Sequence, residues 1–175
     1  MLHCFAAGIL LAALPLAVAS DVTDDKACPN IAGFMVIGEL EHVTIKPEDL
    51  RLKARIDTGA QTSSLGVSSQ QPFERDGKQW LRFSVKDPGS EKSIDFEKPV
   101  SRTVKIKRHD AEAMERPVIK LKIMLGNSEM EREFTLADRS QYNFPVLIGR
   151  NVLGGKYLVD VSRKFSGKTT AGKEE

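Results

Sequence analysis

Lys53-Ala54-Arg55-Ile56-Asp57-Thr58-Gly59-Ala60-Gln61-Thr62-Ser63-Ser64-Leu65 is the stretch on which the fold turns. Leu52, Ala54 and Ile56 share one side of an extended chain while Arg51, Lys53 and Arg55 share the other, the period of a strand with one face inward. Asp57-Thr58-Gly59-Ala60 then breaks the pattern with a tight turn, and small hydroxyl residues follow as far as Leu65. One carboxylate stands at a strand end among backbone amides and hydroxyls, an arrangement that can hold an acid beside a water. The plainer reading is a turn in which aspartate caps amides and glycine takes a positive φ.

Outward from this point the chain keeps the strand period. Ile119, Leu121, Ile123 and Leu125 alternate with Lys120, Lys122 and Met124, and further strands are expected over 35–39, 80–86, 104–108, 131–136, 146–148 and 157–161. Asp76-Gly77, Asp87-Pro88-Gly89 and Gly126-Asn127 supply turns between them. Helix is expected only over 110–115 and 150–153. The fold class is therefore all-β, a small closed or nearly closed barrel with a short helix after Gly149.

The chain of 175 residues is one domain plus tails, and 41% hydrophobic against 29% charged residues allows an ordinary buried core. The net charge of +2 comes from the end of the chain, where Arg163, Lys164, Lys168 and Lys173 outnumber Glu174 and Glu175. A neutral body argues against a nucleic-acid partner. Residues 163–175, rich in Ser, Gly, Thr and Lys, read as a disordered tail. Residues 1–19 read as an export signal, with an apolar run over 5–18 and Ala17-Val18-Ala19 before Ser20. The run is too short to span a bilayer comfortably, and Cys4 lies ahead of it, away from a lipoprotein position. Cleavage leaves a polar leader over 20–33, a β domain over 34–162 and no integral membrane segment. Cys28 is then the lone cysteine, able to pair only between chains or to stay a free thiol.

The second informative segment is Phe144-Pro145-Val146-Leu147-Ile148-Gly149-Arg150-Asn151-Val152-Leu153. Its apolar run implies a strand buried on both faces, and Gly149 lets another backbone approach closely. Asp57-Thr58-Gly59-Ala60 after an apolar strand resembles the catalytic loop of the retropepsins, the aspartic proteases of retroviruses. Leu147-Ile148-Gly149-Arg150-Asn151 resembles their second signature, which forms the scaffold beneath that loop. Ile37-Gly38-Glu39-Leu40-Glu41-His42-Val43 brings the chain closer to a bacterial group of retropepsin-like proteins, whose members often carry the label ATP-dependent zinc protease. With the export signal over 1–19, the expected location is the bacterial periplasm, and the resemblance implies a functional link to ATP-grasp ligases.

The residues argue against both words of that label. A hydrolytic zinc site needs three protein ligands and an activating carboxylate, and His42 and His109 are isolated from one another after export. The segment from Gly149 to Tyr157 misses the phosphate-loop spacing by one, with tyrosine where a hydroxyl would hold magnesium. Neither a metal nor another cofactor is expected.

Aspartic proteolysis needs two carboxylates that share a proton, one acting as base on a water and the other polarising the scissile carbonyl. Asp57 has no second copy of its motif, because Asp87-Pro88-Gly89 lacks the hydroxyl while Asp138-Arg139-Ser140 and Asp160-Val161-Ser162 lack the glycine. The mate must come from a second chain across a two-fold axis. The resemblance implies that Thr58 locks the paired loops and that Gly59 presents its backbone to an extended peptide or protein substrate. A flap is expected between Trp80 and Arg108, with Gly89 the nearest thing to a tip. Gln61 replaces the acidic residue that pairs with the arginine in the viral enzymes, so Arg150 needs another partner, a backbone carbonyl or Asp138. The separation of Asp57 from Gly149 exceeds that of the viral domains and calls for extra strands or a longer flap. Trp80 reads as core, and the run from Arg102 to His109 as a solvated strand face. A non-catalytic peptide-binding or assembly module of the same fold, and the trimming of enzymatically added amino-acid tags, stay open beside the endopeptidase.

Overall fold

A computed structural model describes residues 32–89, 92–108 and 111–167. The expected export signal, most of the polar leader with Cys28, His109 and residues 168–175 lie outside the described residues. Alternation makes β2 (Leu50–Ile56) one-sided: Leu50, Leu52, Ala54 and Ile56 are buried while Arg51, Lys53 and Arg55 are exposed. β7 (Ala111–Leu125) turns Ile119, Leu121, Ile123 and Leu125 into the same core. Between these two strands runs β1 (Met35–Lys46), which pairs with β2 over Leu40–Ile45 and with β7 over Val43–Lys46. Its pairing with β7 closes the sheet into a barrel.

The other barrel strands are β3 (Ser63–Gly66), β8 (Ser128–Ala137) and β9 (Val146–Ile148), and the order round the barrel is β1-β2-β9-β3-β8-β7. The all-β closed barrel expected from the sequence is what the chain forms. β4 (Ser69–Arg75), β5 (Lys78–Lys86) and the first half of β6 (Ser93–Arg108) make an added antiparallel sheet, and they fill the long separation between Asp57 and Gly149. Leu81, Phe83, Val85 and Phe96 bury one face of this sheet in the common core, where Phe83 stacks on Phe96 at 5.3 Å. Pro72 is tolerated in β4 because that strand is the sheet's edge. The second half of β6 pairs with β7 from Val100↔Ile119 to Arg108↔Ala111. β8 follows β7 only as far as Val118↔Thr135, so the outer part of the β6–β7 arm leaves the barrel with no third strand paired to it among the described residues.

Here the structure departs from the expected helix over 110–115. Ala, Glu and Met favour helix locally, but from Ala111 to Arg116 the backbone pairs with β6, and tertiary pairing overrides the propensity. The helix α1 (Arg150–Leu153) forms as expected. β10 (Tyr157–Lys164) lies parallel to β1 and passes the expected domain end at 162, and Phe165 N still donates to Leu40 O at 2.7 Å. Gly38 permits this crossing, since a Cβ there would sit 2.3 Å from the Arg163 carbonyl oxygen. Buried Glu41 then receives the Gly38 amide, the Ser166 amide and hydroxyl and the Gly167 amide, which seats the chain after β10. Among the described residues no helix is long and apolar enough to cross a membrane.

Candidate active site

β2 delivers Asp57 to the rim beside β9, where Ile56 pairs with Ile148 and the Asp57 amide donates to the Ile148 carbonyl at 2.9 Å. The chain then turns back on the carboxylate itself. Asp57 Oδ1 accepts the Gly59 amide at 2.9 Å and the Ala60 amide at 3.1 Å, so the acid is oriented by its own loop. Gly59 is not in the left-handed region that the plain turn reading requires. What restricts its side chain is proximity, since a Cβ would meet Asp57 Oδ1 at 3.2 Å. Asp57 is half-buried, and Thr58 and Gly59 are exposed.

The segment from Leu147 to Asn151 grips this loop from beneath. A Cβ on Gly149 would lie 2.8 Å from the Ala60 carbonyl oxygen, so only glycine lets the two backbones come together. The amides of Arg150 and Asn151 donate to the carbonyls of Ala60 and Gln61 at 2.8 and 3.1 Å. The Arg150 Nη1 reaches the Gly59 and Thr58 carbonyls at 2.8 and 3.2 Å. Its partner is therefore backbone carbonyl rather than Asp138, whose Oδ1 accepts the Ser140 amide at 2.9 Å. That bond, with the Ser140 hydroxyl, holds the Asp138 carboxyl below its usual range.

Ser63 completes the clamp from inside the barrel wall, and the sequence reading had not singled it out. Fully buried, it accepts the Gly149 amide at 3.0 Å through Oγ and donates both its hydroxyl and its amide to Asn151 Oδ1 at 2.8 and 2.9 Å. Asn151 Nδ2 donates onward to the Glu133 carbonyl at 2.8 Å. The run of hydroxyl residues after Ala60 was the only signal of this role, because the partners are far apart in sequence. Ile148 and Val146 point into the core, whereas Leu147 is only half-buried, so β9 is not covered on both faces as its apolar run suggested. Register puts Leu147 level with Arg55 on one side and Ser64 on the other, on the outer face.

Trp80 lies away from this loop, half-buried at the seam of β4 and β5, with the Arg75 guanidinium 4.7 Å from its ring. Gly89 forms a local turn on Asp87, whose Oδ1 accepts its amide at 2.9 Å. Among the described residues the two longest strands are β6 and β7, which pair antiparallel, and β6 lies within the 80–108 range expected for the flap.

A closed barrel carrying one Asp-Thr-Gly-Ala turn at its rim, braced by a Gly-Arg-Asn segment, defines the retropepsin-like class. The chain belongs to the RimB-like family, described as retropepsin-like aspartic endopeptidase RimB, whose model matches residues 36–170. Named relatives include the "Probable alpha-L-glutamate ligase" of Shewanella pealeana, 35% identical over 116 residues, which cover 65% of this chain and 25% of that protein. The protein of the same name from Parasynechococcus marenigrum is 33% identical over 111 residues, covering 62% of this chain and 24% of that one. The chain thus spans about a quarter of the length of these curated relatives. Among solved structures, Legionella pneumophila protein Lpg0085, titled as of unknown function, superposes with a TM-score of 0.66 at 30% identity, covering 76% of this chain and 98% of its own.

Proposed function

We propose that the chain is an aspartic endopeptidase whose working site is a dyad of Asp57 and its mate in a two-fold homodimer. The observation that carries the reading is the bracing of the Asp57 loop by Ser63, Gly149, Arg150 and Asn151, which fixes a single carboxylate at an exposed rim. Two such carboxylates about 3 Å apart cannot both ionise, so one holds the shared proton. The ionised member takes a proton from a water, whose oxygen attacks the scissile carbonyl carbon. The protonated member hydrogen-bonds the carbonyl oxygen as it gains charge. Collapse of the tetrahedral diol breaks the C–N bond as a proton passes to the leaving nitrogen, giving acid and amine. Thr58 braces the paired loops, Gly59 contacts the peptide backbone and the β6–β7 arm lies over the substrate.

The glutamate ligases among the relatives favour a substrate class as well: peptide bonds within glutamate extensions that such a ligase adds. Export to the periplasm is part of the proposal, supported by the apolar run over 5–18. Asp57→Asn keeps an acceptor for the Gly59 and Ala60 amides, so the variant is expected to fold, to lose cleavage of a peptide library and to leave wild-type cleavage as the only chelator-resistant activity. Cleavage that survives in Asp57→Asn would refute the dyad.

A further inference from the structure

Three chain segments meet where the barrel passes into the added sheet, and backbone bonds fix them to one another. The Gly66 amide donates to the Pro145 carbonyl at 2.7 Å, the Val67 amide to the Ala137 carbonyl at 3.1 Å and the Ser68 amide to the Ser84 carbonyl at 2.9 Å. The end of β3, the end of β5 and the loop between β8 and β9 thereby border a cavity of about 530 Å³, a volume that suits a small ligand. None of its lining residues belongs to the Asp57 loop or to the Gly149-Arg150-Asn151 brace.

Val67, Val85 and Pro145 give the cavity an apolar floor, and the two valines are buried. Lys86 and Asp138 stand on its walls with opposite charge. Neither forms an ion pair among the described residues, with the other or with a third group. Ser140 donates its amide to Asp138 Oδ1 at 2.9 Å and holds the carboxyl below its usual range, so the group is ionised at neutral pH. Arg139 is already engaged, its Nε donating to the Phe144 carbonyl at 3.1 Å and its guanidinium lying 4.4 Å from the Tyr142 ring, and it forms a fixed part of the wall. Gly66 makes room for it, since a Cβ there would lie 3.0 Å from Arg139 Cβ and from the Pro145 carbonyl oxygen. Ser69 and Gln70, the first residues of β4, also line the cavity. Among the described residues β4 is the sheet's edge, and an edge strand keeps backbone N–H and C=O groups open along its outer side.

Opposite charges that flank an apolar floor without bridging match a molecule charged at both ends, and an open strand edge matches a peptide backbone. We propose that the cavity binds a short aliphatic peptide with both termini free, its ammonium on Asp138, its carboxylate on Lys86 and its backbone along β4. This binding does not rest on the endopeptidase reading.

The test is a titration of the 15N-labelled full chain bearing Asp57→Asn with L-valyl-L-valine, followed by amide chemical shifts, with the N-acetylated and C-amidated dipeptides as comparisons. Saturable shift changes are expected at residues 66–70, 85–86 and 138–140, and blocking either end is expected to weaken binding roughly tenfold or more. Asp138→Asn keeps an acceptor for the Ser140 amide; it is expected to bind the free and acetylated dipeptides alike while still preferring the free carboxylate. Lys86→Gln is expected to show the reverse, indifference to amidation with the preference for a free ammonium retained. The amide spectra of both variants report at the same time that they are folded. No saturable change at these residues, equal affinity for free and blocked dipeptides, or an Asp138→Asn chain that still prefers the free ammonium would overturn the proposal. Because the Asp57→Asn background removes the proposed dyad, each of these results bears on the cavity and leaves the endopeptidase reading to its own cleavage assay.

Discussion

In the proposed endopeptidase Asp57 carries the chemistry, and Asn151 braces the loop that holds it. Its side chain accepts two bonds from buried Ser63 and donates one to Glu133, tying β3, β8 and α1 together directly beneath the loop. Asn151→Ala leaves the Ser63 amide and hydroxyl without their acceptor, and should cost roughly 2–4 kcal/mol in urea unfolding, with peptide cleavage falling alongside. A loss below about 0.5 kcal/mol would show that water replaces the amide and that the clamp is not structural. At this scale the sequence spoke unevenly. Gly149, Arg150 and Asn151 were readable because their motif is contiguous, and the need for glycine at 149 was a matter of backbone approach. Ser63 was silent, because a serine among hydroxyl residues acquires a role only from neighbours that register brings in.

β1 shows what an element adds to its residues. The segment Ile37-Gly38-Glu39-Leu40-Glu41 was legible as a family signature and not as a mechanism, yet the structure gives each part a physical task. Gly38 allows the Arg163 carbonyl to pass, and Glu41 collects the amides of Ser166 and Gly167 after β10. Gly38→Ala forces a methyl against backbone that cannot rotate aside, and should destabilise the domain by roughly 2–4 kcal/mol, with increased amide exchange in 157–165 as the readout. Unchanged exchange there would mean that β10 is held by something other than this crossing. Strands with strict alternation, such as β2 and β7, were visible in advance. The short serine-rich β3 and the Gln- and Pro-bearing β4 were not, since neither alternates apolar with polar residues. The helix expected over 110–115 failed for the opposite reason: local propensity was clear, but the long pairing with β6 decided the conformation.

At the scale of the whole molecule, the barrel presents one carboxylate per chain, and the retropepsin-like family to which it belongs is described as endopeptidase. The central claim is that the active site is completed by a second copy. If so, an Asp57→Asn chain is a poison as well as a dead enzyme, because it folds, exchanges into dimers and occupies half of each mixed site. The direct measurement is the initial rate of peptide hydrolysis for a fixed amount of wild-type chain equilibrated with increasing Asp57→Asn chain. With free exchange, activity should fall in proportion to the number of wild-type pairs, the square of the wild-type fraction multiplied by total chain, and hence, at fixed wild-type chain, in proportion to the wild-type fraction itself. A rate that stays constant as the Asp57→Asn chain accumulates would contradict the account, since each wild-type chain would then be cleaving alone.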